Sequence, residues 1–363
     1  MSKAYPALSY SPPNLAIYTP LEVGYYGVFG LTNIPDAMKE FIRILCLICP
    51  TVIAVVWITP LGAQTQNQFT PGKIWNDTQG EVINAHGGGL LYSKGNYYWF
   101  GEKRGQRASE GVNVYFSKDL YNWKYEGLAL APEESPQSDI TSGCLMERPK
   151  VIYNEKTEKY VMWFHLELKG QGYDAARAAV AISDKPTGPY KFLKSFRPNG
   201  NMSRDMTLFV DEDGSAYHIY SSRDNYDLRI AKLTDDYLNS TTADKLLFSQ
   251  HREAPAIFSH NKLYYMVTSG CTGWAPNRAS VHVASSLWGP WEDKGDPMHG
   301  PGADTTFGGQ STFIFPVQGK KNKFIFMADR WNPRDLKDSR YLWLPGEIKD
   351  GKLSITWYDS WKL

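Results

Sequence analysis

The stretch Met146–His165, MERPKVIYNEKTEKYVMWFH, opens on polar residues, passes through a short apolar run, turns, and leaves on a run rich in aromatic and branched side chains. Apolar runs of strand length on either side of a polar turn read as one β-hairpin. The design recurs in Asn84–Glu102 (NAHGGGLLYSKGNYYWFGE), Ser203–Ser222 (SRDMTLFVDEDGSAYHIYSS), His251–Gly270 (HREAPAIFSHNKLYYMVTSG) and Gly308–Trp331 (GGQSTFIFPVQGKKNKFIFMADRW). Each repeat turns through Gly, Asn, Asp or Lys and leaves on a strand of the kind Tyr97-Tyr98-Trp99-Phe100.

Between the hairpins lie further strand-like runs, Val112–Ser117, Ala178–Ser183, Leu228–Leu233 and Ser280–Ser285. Turn-rich stretches such as Leu120–Trp123, Pro186–Tyr190 and Leu287–Trp291 accompany them. About four strands per repeat, five times over, predict an all-β protein, a five-bladed β-propeller. A solenoid is the rival, but its repeats are usually shorter than the roughly 50–60 residues implied here. The propeller spans 78–363 after a short linker, 64–77, and leaves no room for a second domain.

Composition agrees with a turn-rich β protein: 12 Trp, 23 Tyr, 31 Gly and 22 Pro in 363 residues. Aromatic rings stack on the apolar faces of sugars, yet in strands most of them are core, so composition alone proves no sugar site. The formal net charge is +1, without a long basic run. That balance removes the electrostatic case for nucleic acid or an anionic membrane surface and favours a neutral partner.

Residues 38–63 run from Met38-Lys39-Glu40 through Arg43 into the apolar stretch Ile44–Leu61 and end on Gly62-Ala63. These are the parts of a secretory signal peptide with cleavage after Ala63, which predicts a secreted or periplasmic protein without stable membrane insertion once cleaved. A membrane anchor is the alternative, for a run interrupted by Pro50 and near the lower limit of a span. Residues 1–37 lack periodicity and read as an over-called extension ahead of Met38. Cys46 and Cys49 would leave with the signal, so Cys144 and Cys271 remain, as a bridge or as two buried thiols.

In a propeller the innermost strand of every blade starts near the axis, so the polar heads of the five repeats share one end of the channel. In order they are His86 with Gly87–Gly89, Glu147 with Arg148, Arg204 with Asp205, Glu253, and Gln310. Carboxylates facing one pocket are what glycoside cleavage needs, an acid for the leaving oxygen and a second group for water. A structural ion network with Arg148 and Arg204 would use the same residues. His86 reads as a structural hydrogen-bonding residue, and the Gly triplet as room for a sugar or for a bulge.

His-Gly-Gly-Gly at 86–89, Glu-Arg-Pro-Lys-Val at 147–151, Ser-Arg-Asp-Met at 203–206, Arg-Glu-Ala-Pro-Ala at 252–256 and Gly-Gly-Gln-Ser-Thr at 308–312 together resemble glycoside hydrolase family 43. More narrowly they resemble its exo-β-1,3-galactanase subfamily, from about Gly72 to the end. The resemblance implies an inverting hydrolase of galactan with Glu253 as general acid and Asp205 tuning its pKa and position. Gly87 stands where most of the family carries an Asp base, and the subfamily shares this gap. It implies that Gln310 serves instead, as an imidic tautomer accepting a proton from water or as an orienter of water. Glu102 and Glu147 match carboxylates that bind galactose hydroxyls. Tyr173, Asn225 and Thr272 match further sugar contacts less closely.

As an acid near neutral pH, Glu253 should have a pKa raised by burial and by Asp205. With no spaced His/Cys cluster, Walker loop or dinucleotide fingerprint, hydrolysis without a catalytic cofactor or metal is expected. An α-L-arabinofuranosidase or β-xylosidase of the same family, and a sugar-binding propeller without catalysis, are the competing readings.

Overall fold

The computed structural model describes residues 65–363. The expected extension, 1–37, and signal peptide, 38–63, lie outside these residues. Blade one comprises β1 (His86–Ser93), β2 (Asn96–Arg104), β3 (Ser109–Ser117) and β4 (Lys124–Leu130). Blade two comprises β5 (Leu145–Asn154), β6 (Lys159–Glu167), β7 (Arg177–Ser183) and β8 (Lys191–Phe196). Blade three comprises β9 (Met206–Val210), β10 (Ala216–Ser222), β11 (Asp227–Leu233) and β12 (Ser240–Phe248). Blade four comprises β13 (Arg252–His260), β14 (Leu263–Gly270), β15 (Ser280–Ala284) and β16 (Glu292–Asp293). Blade five holds β17 (Met298–His299), β18 (Gln310–Pro316), β19 (Lys323–Arg330), β20 (Arg340–Lys349) and β21 (Lys352–Thr356), with β17 parallel to β21 at the outer edge.

Each quoted repeat supplies the innermost hairpin of a blade. The innermost strands touch in cyclic order, β1 to β5, β5 to β9, β9 to β13, β13 to β18, and β18 back to β1. The ring is therefore closed, and the molecule is a five-bladed β-propeller.

Most of the aromatic load is core. Trp99, Trp123 and Trp343 are buried between blades one and five, with Trp99 and Trp343 ring centroids 4.9 Å apart. Each such ring removes on the order of 150–250 Å² from water, a contribution of several kcal/mol at about 25 cal/mol per Å². From the expected linker, Phe69 and Trp75 join this cluster. The Phe69 N–H donates to the Trp361 carbonyl at 2.8 Å, their rings stack at 4.4 Å, and Trp75 packs edge-on against Trp343. The two ends of the described chain thus pair beside the blade that closes the ring. Cys144, buried, and Cys271, half-buried, are free thiols. No helix among the described residues is long and apolar enough to cross a membrane.

The heads of four innermost strands share an irregularity. The register shifts between His86 and Gly89, Glu147 and Lys150, Glu253 and Ala256, and Ser311 and Phe313. An extra residue bends a strand and re-aims its side chains. Gly87, Arg148 and Ala254 accordingly sit at φ +61°, +55° and +54°. For Arg148 and Ala254 that conformation costs roughly 1–2 kcal/mol each, a strain held by the surrounding sheet.

Candidate active site

The re-aimed heads meet in a cavity of about 240 Å³ at one end of the channel. Glu253 lines this cavity and is 7% exposed. Its Oε1 accepts the Gln310 Nε2–H at 2.7 Å and its Oε2 accepts the Asn225 Nδ2–H at 2.8 Å. The carboxyl is pushed up to about 7 by burial first and then by the charge of Asp205, against the opposing effects of Cys271 and Arg148. A carboxyl held there carries its proton near neutral pH and can give it away.

Asp205 is gripped by Arg148 at both oxygens, Nε to Oδ1 at 3.0 Å and Nη2 to Oδ2 at 2.9 Å. The same guanidinium donates to Gln310 Oε1 and to the Ser311 carbonyl, so one cation ties the heads of blades two, three and five. Trp331 Nε1–H adds a second donor to Gln310 Oε1 at 2.9 Å.

A second network lines the blade-one and blade-two side. Arg104 bridges Glu102 and Glu147, with Nε to Oε2 of Glu102 and Nη2 to Oε1 of Glu147 both at 2.7 Å. Glu147 also accepts the Tyr173 hydroxyl at 2.8 Å and lies 3.2 Å from His165 Nδ1. Burial would raise the Glu147 carboxyl, but Arg104 and His165 outweigh it and hold it well below the usual carboxylate range. Burial likewise opposes charge on His165, yet Glu147 and Glu167 push it up to about 9. Glu102 is pushed up to about 7 by burial, with Arg104 opposing and Glu147 adding to the rise, while the Ser109 hydroxyl donates to it. These acceptors suit sugar hydroxyls.

Glu147, His165 and Asp205 each place a ligand atom within 4.8 Å of the others. They do not fit a metal ion, because Glu147 already faces Arg104 and His165, and Asp205 is engaged at both oxygens by Arg148.

Residues 88–338 match the sequence profile of glycosyl hydrolases family 43. The chain belongs to glycoside hydrolase family 43. A solved family 43 β-1,3-galactosidase with galactodeoxynojirimycin is 50% identical, covering 81% of this chain and 100% of that one, with a TM-score of 0.79. An exo-β-1,3-galactanase from Phanerochaete chrysosporium with β-1,3-galactotriose is 38% identical over 82% of this chain and 68% of that one, TM-score 0.77. The exo-β-1,3-galactanase from Clostridium thermocellum is 39% identical over 82% and 67%, TM-score 0.76. A curated xylan 1,3-β-xylosidase from Vibrio sp is 24% identical over 198 residues, half of this chain, and the match spans about a third (36%) of that protein's length.

Of the residues expected at this family 43 site, Glu253, Gln310, Asp205, Glu102, Glu147, Tyr173 and Asn225 all line the cavity. Thr272 does not. Its hydroxyl donates to the Ala275 carbonyl at 2.6 Å and accepts from Asn277, which ties down the loop that carries Trp274. His86 is buried beneath the floor, stacked on Tyr341 at 5.1 Å with Nδ1 3.5 Å from Asp329. In the Gly triplet only Gly87 reaches the cavity. Gly88 lies against the Phe100 carbonyl, and Gly89 leaves room for the buried Lys150 stem, whose Nζ donates to the Gly87 and Arg148 carbonyls.

The cavity also uses Arg104, His165, Cys271, Trp274 and Trp331, which the sequence reading did not assign. One signal was available: Trp331 closes the fifth quoted repeat as Glu102 closes the first.

Proposed function

We propose that this glycoside hydrolase releases galactose from the non-reducing end of β-1,3-galactan with inversion, as a protein exported by the segment 38–63. Glu253 gives its proton to the glycosidic oxygen as the bond from that oxygen to the galactose C1 breaks, while water attacks C1 from the opposite face beside Gln310 and sheds its proton to solvent, from which Glu253 is reprotonated. Support for the substrate comes from the galactosidase and galactanases to which the chain is 50%, 38% and 39% identical. The observation that carries the mechanism is that Glu253, alone among the carboxylates lining the cavity, has no cationic partner. Glu102 and Glu147 pair with Arg104 and Asp205 with Arg148, whereas Glu253 is bonded by the amides of Gln310 and Asn225.

An inverting site holds its acid and its water-activating group roughly 6.5–9.5 Å apart, so that ring and water fit between them. The 2.7 Å bond between Gln310 and Glu253 therefore opens as the sugar enters. Glu102, Glu147 and Tyr173 then take the hydroxyls of the terminal galactose, and the half-exposed Trp274 ring flanks the rim.

The test is incubation with β-1,3-galactobiose, an aryl α-L-arabinofuranoside and an aryl β-xyloside. Galactose released by the wild type and lost in Glu253→Gln supports the reading. Arabinose or xylose release instead selects the other family 43 activities, and binding without any release selects a lectin-like propeller. Gln310→Ala is expected to lose nearly all turnover while still binding galactobiose.

A further inference from the structure

Trp331 touches both charged networks of this site. Its ring lies 5.6 Å from the Arg104 guanidinium and 5.9 Å from that of Arg148, and it meets Trp274 edge-on at 5.8 Å. Behind it, between blades four and five, lies a second cavity of about 220 Å³ that it shares with Trp274 and Gln310. The indole is thus a partition between two cavities, and its N–H points at Gln310 Oε1.

A carbonyl oxygen has two lone pairs. Those of Gln310 receive Trp331 Nε1–H and an Arg148 Nη2–H, and neither an indole nor a guanidinium accepts a hydrogen bond. An imidic tautomer needs a hydrogen on Oε1, where both positions are filled by donors. The same two bonds settle which end of the amide faces the acid, leaving Nε2–H to donate to Glu253.

We propose that Trp331 is a positioning residue which, with Arg148, holds Gln310 as an amide with its nitrogen turned to the acid. This rests on the glycosidase reading only for its kinetic consequences. Trp331→Phe keeps a ring in the partition and removes the N–H. Benzothienylalanine at 331, with sulfur in place of the N–H, keeps the full shape should Phe disturb the wall.

Loss of one neutral hydrogen bond predicts a fall in kcat on β-1,3-galactobiose of about five- to ten-fold with KM nearly unchanged. The loosened amide donates less well to ionised Glu253, so the alkaline limb of kcat/KM moves up. A residue that merely walls the pocket would instead raise KM and leave the limb in place, and that result overturns the proposal. The independent readout is titration of the Glu253 carboxyl by ¹³C NMR, assigned against Glu253→Gln. Its pKa should rise in both 331 variants even if galactobiose is not the substrate, in which case the functional reading fails and the positioning role stands. An unmoved Glu253 pKa in the sulfur variant refutes the role.

Discussion

Replacing Asp205 with Asn tests the electrostatics that make Glu253 an acid. Burial is the first reason the carboxyl is pushed up to about 7, and the charge of Asp205 is the second. Asn keeps the shape and removes that charge. It also releases the Arg148 guanidinium from the carboxylate that grips it at both oxygens, so more of its positive charge acts on Glu253. Both changes favour the ionised form. Neighbouring charges shift a carboxyl by on the order of one unit or more, and one unit is about 1.4 kcal/mol. A drop from about 7 to ~6 lowers the protonated share at pH 7 from about half to about a tenth. The assay is kcat/KM on β-1,3-galactobiose between about pH 4 and pH 9, which reports the free enzyme. In Asp205→Asn the alkaline limb should move down by about one unit, whatever the plateau does. A limb that stays or moves up refutes the electrostatic account, and so does a wild-type limb near the ordinary carboxylate value of 4.5.

Glu253 should cost stability for the same reason it can act. A folded-state pKa above the unfolded 4.5 means that the folded chain binds more protons between 4.5 and about 7, so stability falls as pH rises through that window. Glu253→Gln is expected to melt a few degrees higher than wild type at about pH 8 and to match it at about pH 4, with at most ~3 kcal/mol at stake. Equal melting temperatures at the higher pH would contradict this. His218 is fully buried and pushed down to about 3 by burial alone. The unfolded chain then binds the extra proton below about 6.5, and stability is lost as pH falls, by ~3 kcal/mol at about pH 4.5. His218→Phe should resist urea better than wild type at that pH, and a gap no larger there than at about pH 7.5 would sink the argument. A Cβ on Gly88 would sit 1.8 Å from the Phe100 carbonyl oxygen. Gly88→Ala should therefore cost more than about 3 kcal/mol and yield little folded protein, whereas a variant that melts within a degree or two of wild type would show that the β1 bulge yields easily.

The five hairpins are legible in the sequence because a strand buried on both faces needs a continuous apolar run, and its turn needs Gly, Asn or Asp. The pairing of Phe69 with Trp361 is not, since an aromatic residue near a chain end looks the same whether or not it has a distant partner. The two-residue strands β16 and β17 leave no pattern at all. At the site, Glu253, Asp205 and Gln310 are legible because each occupies the same place at a blade head. Arg104 and His165 lie near the exits of β2 and β6, where nothing in their neighbours' polarity marks them as facing the cavity. Thr272 was placed by likeness of position, but the loop after β14 turns its hydroxyl inward on the loop itself. The bulges are the least visible feature, because one extra residue in a strand changes geometry without changing composition.

Those bulges also explain why a single carboxylate is left without a cation. Both blade two and blade four carry an Arg beside a Glu at the head of the innermost strand, Glu147-Arg148 and Arg252-Glu253. In blade two the left-handed residue is Arg148 itself, and the bend brings both members of the pair into the cavity, where Arg148 takes Asp205 and Gln310. In blade four the left-handed residue is Ala254, one place after the Glu. Arg252 and Glu253 precede it and so alternate across the strand in the ordinary way. Arg252 is consequently turned away, donating from Nε to Thr268 Oγ1 at 3.0 Å and from Nη2 to the Thr268 carbonyl at 2.7 Å. The same pair of residue types, shifted by one position against the bulge, gives a clamped ion network on one side of the channel and an uncompensated, proton-holding acid on the other.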